Sequence, residues 1–129
     1  MCIRDSCKPI FDKYGVDLVL NGHDHTYARG HVPIRTADGK ETNDLGTVYV
    51  TSVSGPKQYK LDLNQIKSYK ADGYQRDNAA EKTQFFQVVT VENNSLVYVA
   101  YTARGQEYDR ALITKDFDTG KKRLSQSQK

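Results

Sequence analysis

The stretch from residue 16 to residue 25 reads VDLVLNGHDH. Its first half is an almost unbroken apolar run, which is typical of a strand buried on both faces of an α/β sheet. The run ends at Asn21-Gly22, and open α/β sheets bind their ligands in the crevice beyond the ends of such strands. We therefore expect the functional residues of this chain to follow Leu20 directly.

The segments around this run predict a fold of mixed class. Ser6 is a suitable N-cap and Gly15 a suitable stop, so a short helix is predicted between them. Alternation of apolar and polar residues and turn residues predict the other elements. These are the helix 7–14, strands 16–20 and 47–53, a loosely alternating segment 27–34, a loop over 57–83 with a short helix at 63–70, and an antiparallel meander of strands 84–92, 96–103 and 108–115. This order predicts an α/β or α+β fold.

Composition excludes two classes of partner. The chain has 129 residues and a net charge of +3, and the excess of basic residues lies in the segment after residue 119. No basic stripe interleaved with aromatic residues is present, so a nucleic-acid surface is not expected. No apolar run of about 18 residues is present, so no membrane span is expected. Cys2 and Cys7 form a single pair, which predicts neither a disulfide nor a zinc site.

Gly22-His23-Asp24-His25 is the motif that carries chemistry. Histidines at alternate positions of an extended segment point to the same side, where they reach one metal ion or a close pair of ions. A glycine before them allows the backbone to turn sharply toward a bound ion. On spacing alone, the alternative that both histidines are ordinary loop residues, hydrogen-bonded to water or backbone, stays open.

The segment KPIFDKYGVDLVLNGHDHTYAR, residues 8–29, resembles the last metal-binding motif of calcineurin-like metallophosphoesterases of the purple acid phosphatase branch. The resemblance continues through GTVYVTSVSGPKQY at 46–59 and through TQFFQVVTVENNSLVYVAYTARGQEYD at 83–109. It implies that residues 7–117 are the C-terminal half of a four-layer α/β/β/α sandwich that ends in an antiparallel meander. Residues 1–6 fit none of the predicted elements and are interpreted as a non-native leader. Residues 118–129 have no periodicity and few apolar residues, so they are interpreted as a flexible tail.

The same resemblance implies the roles of individual residues. His23 is implied to bind the more labile divalent metal of a two-metal centre, and His25 the more tightly bound metal. Support of the loop by packing and hydrogen bonds is implied for Asn21, Gly22, Tyr27 and Arg29. Asp24 falls at a variable position of the motif and is assigned no ligand role. His31 is expected to be an ordinary polar or strand-edge residue.

The implied activity is hydrolysis of phosphate esters by two metal ions, iron, zinc or manganese, which orient the phosphate and deprotonate a bound water. The family's bridging aspartate, its asparagine ligand and its catalytic histidine have no counterpart in this chain. No catalytic residue is therefore expected within these residues. The chain alone is expected to be inactive and to require a missing N-terminal part of the same domain as its partner. Export to the periplasm or the outside of the cell is also implied by the resemblance.

A second hypothesis comes from a different class of protein. The meander and the missing motifs also fit a self-contained, β-rich binding or structural domain. Its histidines would then be incidental or would hold a single zinc ion.

Overall fold

A computed structural model describes residues 2–22, 25–36, 38, 40–57 and 74–127 of the chain. Within these ranges the chain forms one helix and eight strands. The elements are α1 Cys2–Tyr14, β1 Leu18–Asn21, β2 Tyr27–Arg35, β3 Glu41–Thr51, β4 Gln75–Ala80, β5 Phe85–Glu92, β6 Ser95–Thr102, β7 Glu107–Lys115 and β8 Lys122–Ser127.

The first sheet has the strand order β1-β3-β2-β4. β1 runs parallel to β3, with Leu18 opposite Val48 and Asn21 opposite Thr51. β2 is antiparallel to both of its neighbours, β3 and β4. Helix α1 ends at Tyr14. Gly15 follows it with a φ of 63°, which glycine readily adopts, and the chain then enters β1.

The second sheet has the order β5-β6-β7-β8, and every neighbouring pair is antiparallel. Its strands follow one another along the chain and are joined by tight turns, as expected for a meander. β5 and β6 pair in one uninterrupted register from Phe85 opposite Thr102 to Glu92 opposite Ser95. Asn93, with a φ of 46°, lies in the turn between them.

The hydrophobic core lies between the two sheets. Side chains from both sheets form one cluster of buried residues: Tyr27, Val50, Val53, Phe85, Tyr98, Ala100 and Ala111. The Tyr27 and Phe85 rings have centroids 4.7 Å apart, so aromatic contacts join the first sheet to the second. The core therefore belongs to a two-sheet packing rather than to a helix-covered sheet.

The predicted α/β or α+β class and the predicted four-layer α/β/β/α architecture are both wrong. Strands hold 58% of the described residues, one short helix is present among them, and both sheets are mainly antiparallel. The apolar run that favoured an α/β sheet forms a strand of only four residues, in which Leu20 is 57% exposed. Its apolar character therefore does not reflect burial on both faces, as it would in a parallel α/β sheet.

The meander was predicted correctly, but a fourth strand extends it. Residues 118–129 were interpreted as a flexible tail, whereas Lys122–Ser127 pairs with β7 along its whole length. Lys122 is buried, and its Nζ lies 3.2 Å from both the Val16 carbonyl oxygen and an Asp17 carboxylate oxygen. Leu124 packs against the core. These contacts connect β8 to the first sheet.

Other boundaries differ from prediction. Helix α1 begins at Cys2, within the segment interpreted as a leader. β4 occupies the end of the segment predicted to be a loop. The short helix predicted at 63–70 lies outside the described residues. Helix α1, with 13 residues, is too short to cross a membrane, and none of the described residues form a helix that is long and apolar enough to do so.

Gly30 on β2 lies against the chain just before and at the start of β4. A Cβ added there would collide with the ring of Tyr74 and with the backbone carbonyl oxygen of Gln75. We expect Gly30→Ala to destabilise the fold by about 1–3 kcal/mol, because a backbone oxygen cannot rotate away as a side chain does.

Urea unfolding of the Gly30 variant would measure this cost. The matched control is Gly55→Ala, since a Cβ there meets nothing within 4 Å and its φ is not positive. We expect the control to stay within about 0.5 kcal/mol of the native chain. Equal effects of the two substitutions would contradict the close packing of β2 against β4.

Candidate functional site

The histidine loop, residues 22–26, connects β1 to β2. It follows the C-terminal end of the parallel pair formed by β1 and β3, and the Asn21 carbonyl accepts a hydrogen bond of 3.4 Å from the Ser52 amide. The segment after β3 therefore begins at the same edge of the sheet as the histidine loop. Crevices beyond parallel strand ends are the usual location of ligand sites in sheets with parallel strands.

His25 is held in one orientation by that neighbouring segment. Its Nδ1 lies 2.8 Å from the carbonyl oxygen of Lys57. A carbonyl oxygen accepts hydrogen bonds and cannot donate them, so Nδ1 carries the proton. The neutral imidazole consequently has its lone pair on Nε2, which is the nitrogen that would bind a metal ion. His23 and Asp24 lie outside the described residues.

The two residues before His23 support the loop in a limited way. Asn21 is half-buried, and its carbonyl connects the end of β1 to Ser52. Gly22 is exposed, its φ is not positive, and an added Cβ would have nothing within 4 Å. Neither crowding nor backbone conformation therefore explains a glycine at position 22.

The side chains of Tyr27 and Arg29 are fully buried and reach Asp109 on the second sheet. The Arg29 guanidinium forms a bidentate ion pair with Asp109 on β7: Nε lies 2.6 Å from Oδ2 and Nη2 lies 2.9 Å from Oδ1. The Tyr27 hydroxyl donates to the same Oδ2 over 2.6 Å and lies 3.0 Å from the Tyr98 hydroxyl. We call Tyr27, Arg29, Tyr98 and Asp109 the buried network.

Asp109 and Arg29 stabilise each other in their charged forms within the buried network. Burial alone would raise the pKa of Asp109, but hydrogen bonds from Arg29 and Tyr27 outweigh burial and hold it below its usual value. Burial alone would lower the pKa of Arg29, yet the bond to Asp109 leaves it raised. Burial raises the pKa of Tyr27, and the neighbouring Tyr98 and Asp109 raise it further.

The lowered pKa of Asp109 links folding to pH. Its stabilising contribution is complete above the ordinary carboxyl pKa of about 4, where the unfolded side chain is also ionised. That contribution is lost as the pH falls through the lower pKa of the folded state.

Sequence reasoning did not identify Asp109, although a signal was present. Asp109, Ala111 and Ile113 alternate along β7, and all three are buried. A carboxylate at an inward position of an alternating strand requires a buried partner. The partner is Arg29, which lies 80 residues away in sequence.

His31 takes part in a second, smaller contact on the first sheet. Its Nδ1 lies 2.7 Å from an Asp77 carboxylate oxygen on β4, and the same oxygen lies 3.5 Å from Arg29 Nη1. His31 thus binds at the margin of the buried network, although it follows the histidine loop by only a few residues.

Metal-binding groups are absent from the described part of the chain. The residues placed there contain no cluster of three or more His, Cys, Asp or Glu side chains able to hold an ion. His25 is the predicted ligand that the structure places. The predicted pairing of His25 with His23 lies outside the described residues.

Comparison with known proteins gives a short local similarity. No family model and no solved structure matches the chain. Forty residues, 31% of the chain, are 52% identical to a segment of "Uncharacterized protein MT2654" of Mycobacterium tuberculosis strain CDC 1551 / Oshkosh. "Uncharacterized protein Rv2577" of strain ATCC 25618 / H37Rv matches to the same extent. The matched segment covers 7% of each of these two proteins, so the similarity is confined to a small part of their length.

Proposed function

We propose that this chain supplies His23 and His25 as metal ligands to a centre that hydrolyses phosphate esters. The observation that carries the proposal is the hydrogen bond from His25 Nδ1 to the Lys57 carbonyl oxygen. Metal-binding histidines commonly donate their second ring N–H to a carbonyl or carboxylate, which fixes the tautomer and the direction of the coordinating nitrogen. His25 meets this requirement through its own chain.

The position of the loop supports the same proposal. The loop follows β1, the strand that makes the parallel pairing of the first sheet, at the edge where ligands of such sheets usually bind. The GHxH pattern that resembles the phosphoesterase motif falls in this loop. Local sequence and local backbone therefore favour one place for a metal.

In this proposal the chain holds the metal and does not perform the proton transfers. When bound, two ions of iron, zinc or manganese would orient a phosphate ester and activate a water molecule. His25 would bind one ion through Nε2, and His23 would bind the other. The bridging carboxylate and the remaining ligands would come from an N-terminal part of the same domain.

A second candidate is a self-contained β-rich binding or structural domain with incidental or single-zinc histidines. It is favoured by the core that the two sheets share and by the buried network that joins them. The lack of a three-ligand cluster among the described residues agrees with it as well. The described part of the structure supports this candidate more directly than it supports a two-metal centre.

Measuring metal binding in three variants, each with one histidine replaced by alanine, distinguishes the phosphoesterase proposal from the second candidate. Loss of a residue that only orients a metal ligand lowers metal affinity by about 10–100-fold. We expect His23→Ala and His25→Ala, which remove the ligands themselves, to lower the affinity for Zn²⁺ or Mn²⁺ by more than this. His31→Ala is the matched control, because His31 binds Asp77 on the first sheet. Equilibrium dialysis with elemental analysis measures bound metal independently of activity.

The experiment is completed by measuring hydrolysis of p-nitrophenyl phosphate. Two proteins are compared, this chain and a longer protein that adds the sequence upstream of it. Two bound metals and hydrolysis in the extended protein, both lost in the loop variants, would support the phosphoesterase proposal. Equal metal binding by all three variants would refute a ligand role for the loop. One bound zinc without hydrolysis in either protein would favour the second candidate.

A further inference from the structure

β5 forms one edge of the second sheet and pairs with β6 on one side. The Gln84 carbonyl accepts from the Ala103 amide on that side, whereas the Phe85 amide donates to the Val53 carbonyl on the other. Backbone groups alternate in direction along an antiparallel strand. The N–H and C=O groups of Gln87, Val89 and Val91 therefore point away from β6, where no described strand pairs with them.

The outward edge of β5 lacks the features that usually protect such an edge. Natural edge strands carry lysine, proline or β-bulges that prevent pairing with another chain. The segment QFFQVVTV, residues 84–91, has no charged residue, no proline and no glycine, and its register with β6 has no bulge.

Apolar side chains flank the outward edge on both faces of the strand. Val91 is 69% exposed, and Phe86, Val88 and Val89 are each exposed by more than a third. The Phe86 ring stacks on Tyr101 with centroids 5.3 Å apart, which gives that face a flat apolar surface. A strand added at this edge would cover part of this surface.

The length of the outward edge is set at both ends. At one end the Val53 carbonyl already binds the Phe85 amide, and the Ser52 hydroxyl binds the Gln87 side chain. At the other end the chain turns at Asn93, which has a positive φ. Among the described residues, the part of this edge that no strand pairs with therefore runs from Gln87 to Val91 and is centred on Val89.

We infer that this edge pairs antiparallel with the same edge of a second copy of the chain. Twofold pairing centred on Val89 places Gln87 of each copy opposite Val91 of the other. Glu92, the charged residue nearest the edge, then lies opposite Phe86, so no like charges meet. The two second sheets would join edge to edge into one continuous sheet.

The other sheet edges suit such pairing less well. β1 has only four residues. β8 carries Lys122 and Arg123, and charged residues, lysine above all, protect an edge strand from pairing with another chain. β4 carries Arg76 and Asp77 and pairs with β2 through a register shift. The uncharged edge of β5 thus fits a second copy better than the other edges, and the inference does not depend on a metal.

Sedimentation equilibrium of the full chain over a range of concentrations tests the inference. We expect a reversible dimer and a Val89→Pro variant with a dissociation constant about 10- to 100-fold higher, because each copy loses one outward hydrogen bond. Proline is tolerated at an edge position whose N–H faces solvent, so the pairing of β5 with β6 remains. Val89→Lys, which places like charges opposite each other, should weaken the dimer independently.

The control is Leu20→Lys on β1, an exposed residue of a different edge, which should leave the dimer intact. Near-UV circular dichroism of the tyrosines shows that each variant remains folded. Hydrogen exchange at the amides of Gln87, Val89 and Val91 should slow as the protein concentration rises. A native chain that stays monomeric, or a dimer that persists in both Val89 variants, would overturn the inference.

Discussion

Replacement of Asp109 by asparagine should cost about 3–5 kcal/mol of folding free energy, because it removes the carboxylate that pairs closely with the fully buried Arg29. The carboxylate of Asp77, 3.5 Å from Arg29 Nη1, then remains as a more distant counter-charge. The amide has nearly the same shape as the carboxylate, so the loss comes from charge and not from packing. Because Arg29 donates to both carboxylate oxygens of Asp109, the NH₂ group of the asparagine would face a guanidinium N–H in either orientation of the amide. Urea unfolding at neutral pH measures the change.

The control for Asp109 lies two residues away on β7. Glu107 pairs with Arg110 at 2.5 Å, but Arg110 is exposed and Glu107 is partly exposed. Exposed pairs contribute little because water screens them. Glu107→Gln should therefore leave the urea midpoint nearly unchanged. If Asp109→Asn shifted the midpoint no further than Glu107→Gln, the buried network would not be what holds the two sheets together.

Phe85→Ala is expected to destabilise the fold by about 3–5 kcal/mol, since it creates a cavity between the sheets. Phe85 is 2% exposed, and its ring centroid lies 4.7 Å from that of Tyr27 and 5.1 Å from that of Tyr108. Removal of the ring therefore takes aromatic contacts from both the first and the second sheet. Chemical unfolding of dilute protein provides the measurement.

The next residue provides a matched comparison. Phe86 has the same side chain on the opposite face of β5 and is 46% exposed. Phe86→Ala should cost about 1 kcal/mol or less, because little packed volume is lost there. A similar cost for both substitutions would show that the core does not lie on the Phe85 face of the strand.

Much of the second sheet was predictable from sequence, because its strands are local. Alternating residues and turn residues occur within short windows, and the turns at Asn93 and Gly105 have the positive φ values that such turns require. β4 was not predictable in this way. Its sequence, QRDNAA, has no apolar alternation, and it forms a strand through pairing with β2.

The candidate site was predictable only in part. The histidine loop was identified from its spacing and from a family resemblance, and the metal role of His23 and His25 remains a prediction. The carbonyl oxygen that orients His25 is that of Lys57, 32 residues away. It is a backbone group, so no pattern of side chains in the sequence reveals it. The role of Tyr27 and Arg29 in supporting the loop stays a prediction. Their shared bond to Asp109 was not predicted, because only the three-dimensional packing of the sheets brings that residue near.

The 80-residue separation of Arg29 and Asp109 has a kinetic consequence. Hairpins of the second sheet close short loops and form early, whereas a contact between distant residues must wait for a much larger loss of chain entropy. We therefore expect the ion pair between the sheets to be largely unformed at the rate-limiting barrier of folding. Interactions of that kind slow unfolding and hardly change the folding rate, so the pair would act mainly on the lifetime of the native state.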